Sequence, residues 1–560
     1  MNWILDNTND NEAVETLSKE LKISPVLSSM LVKRQIRTYD QAKDFFRPNY
    51  ESLHDPFLMK DMDRATNRLN KAIQDKESIM VFGDYDVDGT SSVALITLYL
   101  ESLGLKILKY IPDRIKEGYG VSMKAIDLAI SKKLKLIIAL DCGIKAHNQV
   151  DYAKKNKIDF IICDHHNPDE KLPNALAILN PKRKDCEYPF KELCGCGVGF
   201  KLIQAIDRDL TYNTDLVNYL DLVALAIAAD VVPVIGENRI MAFLGLQIIN
   251  SNPRIGIHSI LKSNLKKEYI ISDLMFFVAP RINAAGRIKH AELALQLLIS
   301  SNEEHASLLA KEIEGLNSER RLIEKQMTSE AVLQVEEDKE CNSIVVYSSS
   351  WNKGVVGIVA SRLVDKFYKP SVVFCESLNG TLTASARSIK GVDLYKIIKS
   401  CDDIVEQYGG HKYAAGLTIK KDNIKLFKKR FDDAVSKTQS NQAVEKEILI
   451  ESKINFDEIT PKFFRILKQF EPFGPGNKAP LFLTENLKLK GKPYELGKEK
   501  EHIKMNLKQD ISDQFSSIGF WLANKFQSIE NKSNFSAVYS IEENNWKDRT
   551  TIQLNLKDFK

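Results

Sequence analysis

Cysteine is scarce, with eight in 560 residues, and only Cys194 and Cys196 lie close together, in the run CGCGVG. That spacing matches no common zinc signature and the total excludes a disulfide scaffold, so reduced, mostly buried thiols are expected. No apolar run approaches the roughly 20 residues a membrane helix needs. The opening MNWILDNTND lacks the charged-then-apolar layout of a secretory signal. A soluble, cytoplasmic protein is therefore expected. Excess charge of one sign is missing too: a net +4 gives no global field for polyanions, so any such site must be a local patch. A hydrophobic fraction of 44% excludes disorder, and the length exceeds one ordinary core, so several domains are expected.

The chain divides by pattern. Residues 1–60 read as a helical N-terminal segment. From there to 255, four short apolar runs, IMVF (79–82), LIIAL (136–140), FIIC (160–163) and ALAIL (175–179), alternate with helix-length segments. That alternation predicts an α/β fold with a parallel sheet covered on both faces. The run LVALAIAADVVPVI (222–235) reads as a buried helix interrupted by Asp230. Within a connecting region, 256–338, apolar Leu309, Ile313, Leu316, Ile323 and Met327 recur at helical spacing, which predicts a long amphipathic helix between lobes, with a coiled-coil dimer contact as the alternative. IVVY (344–347) and SVVF (371–374) flank a helical pattern and predict a second, smaller α/β domain over 339–440. Thr438–Glu445 is polar enough for a linker, and 446–560 alternates strand-like runs with turns, as a small all-β module does.

Three of the apolar runs end in acids. The first leads into Gly83-Asp84-Tyr85-Asp86-Val87-Asp88-Gly89, the second into Asp141-Cys142-Gly143, the third into Asp164-His165-His166. In open α/β sheets ligands bind beyond the carboxyl ends of the strands, so these segments converge in one crevice. Taken singly, an Asp-rich turn after a strand is more often a helix N-cap or a solvated loop. Three together, with Asp230 set in apolar sequence, reverse those odds, because crowded buried carboxylates need cations. Carboxylates mixed with imidazole favour Mn²⁺, with Mg²⁺ the alternative. Two divalent ions about 3.5 to 4 Å apart activate water and offset the charge on a phosphate under in-line attack. A metal-dependent phosphodiesterase is expected.

GDYDVDGT, Asp141, the Asp164-His165-His166 triplet and Asp230 resemble the four motifs of the DHH phosphoesterase superfamily. Within it, YIPDRIKEGYGVS (110–122), APRINAAGRI (279–288), WNKGVVGIVASR (351–362), SARS (385–388), YGGHKYAAG (408–416) and PFGPGN (472–477) resemble the RecJ family of bacterial exonucleases specific for single-stranded DNA. The resemblance covers the chain from about residue 60 to its end. It implies a DHH catalytic domain (61–255), a DHHA1 domain (339–440) and a nucleic-acid-binding OB-fold (446–560). It implies a two-metal nuclease that releases mononucleotides from the 5′ end of single-stranded DNA in recombination and repair, with a single-strand-binding protein and a RecQ-like helicase as partners.

By position, the resemblance makes Asp86 a ligand of one metal, Asp88, His165 and Asp230 ligands of the other, and Asp141 a bridge. Asp84 becomes a further ligand or an acceptor orienting one, Asp164 a member of the catalytic triplet, and His166 the group facing the scissile phosphate. Arg114, Ser385 and Arg387 would grip the 5′ phosphate, Arg281, Asn283 and Arg287 would line the strand's path, and Gly409, Gly410 and His411 would approach a phosphate. Two departures are present. Phe82 stands where several superfamily members place a metal-binding histidine, so fewer protein groups would hold the first metal, and Asn352 stands where the family usually has histidine. In the last module, Lys488, Lys490, Lys492, Lys498, Lys500 and Lys504 near Tyr494, Phe515, Phe520 and Trp521 suit a groove that stacks bases, although lysine runs are commonly solvated faces. Two other readings remain: a DHH phosphodiesterase for short oligonucleotides or cyclic dinucleotides, and a non-catalytic replication scaffold, against which the filled acidic positions argue.

Overall fold

A computed structural model describes the whole chain except residues 1, 8–9, 211–214, 337–340, 378–379, 440–446, 511–513, 531 and 547–548. Two compact units emerge, one of Leu53–Val232 with Gly236–Val444 and one of Met1–Ser52, Pro233–Ile235 and Glu445–Lys560.

The larger unit is built on a five-stranded sheet, all parallel, in the order Ile107–Tyr110, Ile79–Gly83, Leu136–Leu140, Asp159–Cys163, Ala177–Leu179. The strands Ile79–Gly83 and Leu136–Leu140 are buried along their whole length, as apolar runs covered by helices on both faces must be. Ile107–Tyr110, the one strand that pattern did not mark, is a half-buried edge whose ILKY carries too few apolar positions to stand out. The expected helix around Asp230 is Leu220–Asp230, apolar almost all round and stopped by a left-handed Val231. Cys142, Cys163, Cys194 and Cys196 are buried free thiols in this part, and no cysteine of the eight is bonded to another.

The long helix is Glu303–Glu336. It packs on helix Ala279–Ile288 of the first lobe and on helix Val356–Phe367 of the second, so it bridges them. The second lobe's sheet runs Val405–Gly410, Ala414–Lys420, Thr381–Arg387, Ser371–Glu376, Ile344–Ser348, with only the last pair parallel. Its register sets Gly416 opposite Ser385 and Ala414 opposite Arg387, which lays the GGH hairpin beside the SARS strand. Helix Ile424–Gln439 takes in Thr438 and Gln439, the first two residues of the expected linker, and its remainder, 440–445, lies outside the described residues.

In the smaller unit, strand Phe482–Leu489 pairs with both Phe535–Trp546 and His502–Gln509, so the sheet curls back on itself. Two parallel pairs, Gln514–Gly519 with Arg549–Phe559 and Ser452–Lys453 with Phe482–Leu489, interrupt the antiparallel order. The N-terminal segment supplies helices Asn11–Leu21, Pro25–Lys33 and Tyr39–Phe46, and its Leu17, Leu27, Met30 and Leu31 share one core with Phe463, Phe470, Phe482 and Tyr539. Strand Asn2–Leu5 pairs with Glu447–Ile450, and the Trp3 indole donates to Asp558 at 2.9 Å.

Candidate active site

Asp84, Tyr85 and Asp86 leave the end of strand Ile79–Gly83 and lead into helix Val87–Ser102. Asp86 caps that helix, accepting the Gly89 N–H at 3.0 Å, so the ordinary capping role of an Asp turn is present beside any other. Asp88 lies in the helix's first turn, and both its oxygens are held at 2.7 Å by backbone N–H groups of Gly195 and Cys196, at the start of helix Gly195–Leu210. Asp141 sits in left-handed backbone, φ 58°, with its N–H donating to Cys163.

These side chains meet. His165 Nε2 lies 3.1 Å from Asp141 Oδ1, 3.6 Å from Asp230 Oδ2 and 3.9 Å from Asp88 Oδ2. Three groups of potential ligands result among the described residues: Asp84, Asp86 and Asp141; Asp88, His165 and Asp230; and Asp141, His165 and His166. The ligand atoms within each group lie within 4.8 Å of one another, and Asp141 belongs to two of the groups. Asp84 Oδ1, Asp141 Oδ1 and both His165 ring nitrogens are buried without a hydrogen-bond partner, although Asp141 and His165 are close. Buried polar atoms are rarely left so. A divalent cation fits that donor set, hard carboxylates with neutral imidazole.

The charges agree. Burial, and then neighbouring carboxylates, push Asp84, Asp141 and Asp230 well above the usual carboxylate range and Asp88 up to about 7. Burial and then the charge of His166 lower His165 to about 3, leaving it neutral. Asp164 differs from the other acids. Burial alone would raise it, but the hydrogen bond and charge of His166 bring it down to about 2. Its oxygens accept the N–H groups of Ile144, His165 and His166 and the His166 ring at 2.7 Å, so it orients His166 and faces no ligand group. His166 is raised to about 8, the Asp164 contact outweighing burial.

These shifts carry a sign. A carboxyl whose folded pKa is raised, as in Asp88, takes stability away as pH rises from its ordinary 3.8 to about 7. The raised His166 contributes stability that is present below 6.5 and lost as pH rises through about 8. In chelator, thermal melting is expected to fall from pH 6.5 to pH 8. With Mn²⁺ the trend should reverse, because deprotonated ligands bind metal better, and an ion at ~100 times its Kd adds about 2.7 kcal/mol. Parallel melts in chelator and in Mn²⁺ at the two pH values measure both slopes.

Near Tyr85, which also neighbours Asp84 and Asp86, lies a group of arginines. The Arg114 guanidinium stacks 4.7 Å from the Tyr85 ring. Arg287 donates to the Gly354 carbonyl at 2.9 Å, and burial, with the charges of Arg114, Arg320 and Arg387, lowers it to about 9. Arg387 donates to Ser385 Oγ at 3.0 Å, and burial followed by Arg114 lowers it as well. A Cβ on Gly357, in the first turn of helix Val356–Phe367, would stand 3.1 Å from Ser385 Oγ and 3.3 Å from Arg387 Nη2, so those side chains would have to give by a few tenths of an ångström. Asn352, in the position where histidine was expected, accepts the Gly354 N–H on its side-chain oxygen at 2.7 Å, and the carbonyl of that same Gly354 accepts from Arg287.

Other expected residues are placed apart. Arg281 pairs with Glu314 at 2.5 Å and lies 3.6 Å over Phe277, so its guanidinium is already committed. Asn283 is half-buried on the same helix. Gly409, Gly410 and His411 are exposed at the hairpin tip and enter none of the ligand groups, and Gly410, φ 138°, would drive a Cβ to 2.4 Å from the Ala414 carbonyl. Phe82 is buried and stacks on Tyr110 with centroids 5.5 Å apart. Sequence reasoning missed Tyr119, whose hydroxyl is 3.3 Å from the His166 ring nitrogens and 3.4 Å from the Asp141 carbonyl, although it lies inside the quoted EGYG run. It also missed Gly195, Cys196 and Arg320, and Asn180, which donates to the His166 carbonyl at 2.8 Å.

Family models match three regions: the DHH family, N-terminal domain, at 78–227, the DHHA1 domain at 341–437 and the RecJ OB domain at 450–558. The single-stranded-DNA-specific exonuclease RecJ of Bacillus subtilis is 37% identical, covering 100% of this chain and 70% of that protein. Its counterpart in Escherichia coli is 33% identical over 84% of this chain and 85% of the relative. RecJ from Thermus thermophilus, solved with Mn²⁺, superposes with a TM-score of 0.86 at 26% identity, covering 100% of this chain and 79% of that one. An exonuclease RecJ bound to manganese matches with a TM-score of 0.59 at 31% identity, over 68% of this chain and 95% of that one.

Proposed function

The chain belongs to the RecJ family of single-strand-specific exonucleases, and from that premise we propose that it hydrolyses single-stranded DNA from the 5′ end, releasing 5′-mononucleotides. One observation carries it: Tyr85 has both the acids Asp84 and Asp86 and the arginines Arg114 and Arg287 among its charged neighbours, and the Arg114 guanidinium stacks on its ring, so metal-ligating and phosphate-binding groups meet at this turn. A terminal phosphate held by Arg114, Ser385, Arg387 and Arg287 then leaves the next phosphodiester at the acids.

Asp84, Asp86 and Asp141 would hold one divalent ion and Asp88, His165 and Asp230 the other, Mn²⁺ or Mg²⁺, with Asp141 shared. Bound there, the ions supply water activation and neutralisation of phosphate charge. The chain's own groups do the rest. Asp164 fixes the His166 ring so that a protonated imidazole meets the scissile phosphate. The arginines bind the terminal phosphate and set which bond is presented. Tyr119 packs edge-on against His166, with its hydroxyl beside the ring nitrogens.

On the smaller unit, Tyr494, Phe520 and Trp521 are exposed, His502 packs against both Phe520 and Trp521, and Lys504 lies opposite Tyr494 in the register. That surface suits bases stacked in a positive groove. No helix among the described residues is long and apolar enough to cross a membrane. A cytoplasmic role in DNA recombination and repair, beside a single-strand-binding protein and a RecQ-like helicase, accords with this reading.

Digestion of 5′- and 3′-labelled strands with Mn²⁺, Mg²⁺ or chelator tests it. The 5′ label is expected to appear at once as mononucleotide and the 3′ label as a shrinking ladder, with duplex resistant and chelated enzyme silent. Immediate release of the 3′ label would reverse the polarity, and faster cleavage of dinucleotides than of long strands would favour the short-oligonucleotide alternative.

A further inference from the structure

Arg114 and Tyr119 lie five residues apart on the loop between strand Ile107–Tyr110 and helix Met123–Ser131, yet they serve different parts of the site. Gly118 and Gly120, at φ 82° and 86°, flank Tyr119 and give the backbone no stiffness of its own. The loop is instead gathered on Glu117. Its carboxylate, with its side chain 8% exposed, accepts the Tyr110 hydroxyl at 2.7 Å, the Ser122 hydroxyl at 2.6 Å and the Asp113 N–H at 3.1 Å, and Lys124 stands 3.6 Å away. The three donors are the end of the strand, the cap of the helix, where Ser122 also accepts the Ala125 N–H, and the residue just before Arg114. Asp113 secures the same turn by accepting the N–H groups of Ile115 and Lys116. Tyr110 is in turn braced by its stack on Phe82.

We propose that Glu117 is the positioning residue of the phosphate grip: by tying strand end, loop and helix cap together it holds Arg114 at the terminal phosphate while Tyr119 stays on His166. Phe82 then supports this loop through Tyr110 in a position where other superfamily members keep a metal-binding histidine. This inference rests on the reading above that Arg114 binds the 5′ phosphate. A carboxylate accepting three hydrogen bonds from separate elements is a rigid hub, and in the amide the oxygen that keeps the two hydroxyls sets the NH2 group against the Asp113 N–H, so the bond next to Arg114 is lost.

The test compares 5′-phosphorylated with 5′-hydroxyl single strands, using the full chain with Mn²⁺. Glu117→Gln and Arg114→Ala should each reduce the preference for the 5′ phosphate by roughly tenfold or more, chiefly through KM, since a small misplacement of a binding group has effects of that size. The double variant should lose no more than Arg114→Ala alone, and Mn²⁺ affinity should stay at the parental value. Tyr110→Phe and Ser122→Ala each remove one hydroxyl while leaving the carboxylate, so they should give intermediate losses, and they decide the matter if Glu117→Gln fails to fold. Parental preference in all three loop variants while Arg114→Ala loses it overturns the role of Glu117, as does an additive loss in the double variant. Parental preference in Arg114→Ala overturns the underlying reading of the phosphate grip instead.

Discussion

Replacing Asp141 by alanine is expected to reduce nuclease activity by roughly 10³-fold or more, since the metal centre supplies several kcal/mol of transition-state stabilisation. Asp141 belongs to two of the three ligand groups, as His165 does, and its Oδ1 lies 3.1 Å from His165 Nε2 of the Asp88 group, so its removal would disturb both ion sites. The same substitution should have an opposite effect on the metal-free protein. Burial and the repulsion of Asp88, Asp86, Asp230 and Asp84 hold this carboxyl far above its ordinary range, and alanine removes that burden. The Asp141→Ala protein is thus expected to melt higher than the parent in chelator, to gain little from Mn²⁺, and to bind single strands still. Activity and the two melts separate a ligand from a residue that merely packs.

A change with no charge at all is expected to be nearly as damaging. A Cβ on Gly195 would stand 2.6 Å from Asp141 Cβ, 2.7 Å from its Oδ1 and 2.9 Å from its Cα. Asp141 cannot retreat easily, because its N–H is bound to Cys163 and its backbone is already left-handed. In Gly195→Ala the helix start must move instead, taking the N–H groups of Gly195 and Cys196 away from Asp88. Loss of such outer support weakens metal binding by roughly 10- to 100-fold, and activity should fall at least as much. Gly199→Ala, one turn along the same helix, places its Cβ 3.5 to 3.8 Å from Leu140 and Ile96, ordinary contact, and should keep near-parental activity. Mn²⁺ titration of the two variants makes the comparison.

Much of the catalytic lobe was legible because its chemistry violates local rules. Acids at the ends of apolar runs and an Asp within an apolar helix are unfavourable without a cation, and so Asp84, Asp86, Asp88, Asp141, Asp230 and His165 could be picked out before any coordinates. The long helix Glu303–Glu336 was visible for the simpler reason that its core positions repeat. What stayed hidden depends on partners far along the chain. Arg281 reads as a strand contact until Glu314, 33 residues later, takes its guanidinium. CGCGVG invites a reading as thiols, whereas its use is the backbone N–H pair offered to Asp88 and the missing Cβ beside Asp141. Residues 1–60 read only as a helical segment, and the sequence does not show that the apolar faces of the first three helices complete a core with residues near the other end of the chain. Edge strand Ile107–Tyr110 escaped because half-burial leaves no alternation to see.

Anomalous diffraction from crystals grown with Mn²⁺ tests the central claim most directly. Two peaks are expected, one touching Asp84, Asp86 and Asp141 and the other Asp88, His165 and Asp230, with Asp141 reaching both. A single peak outside these groups, such as one at Cys194 and Cys196, or no peak in the acidic crevice at all, would contradict it.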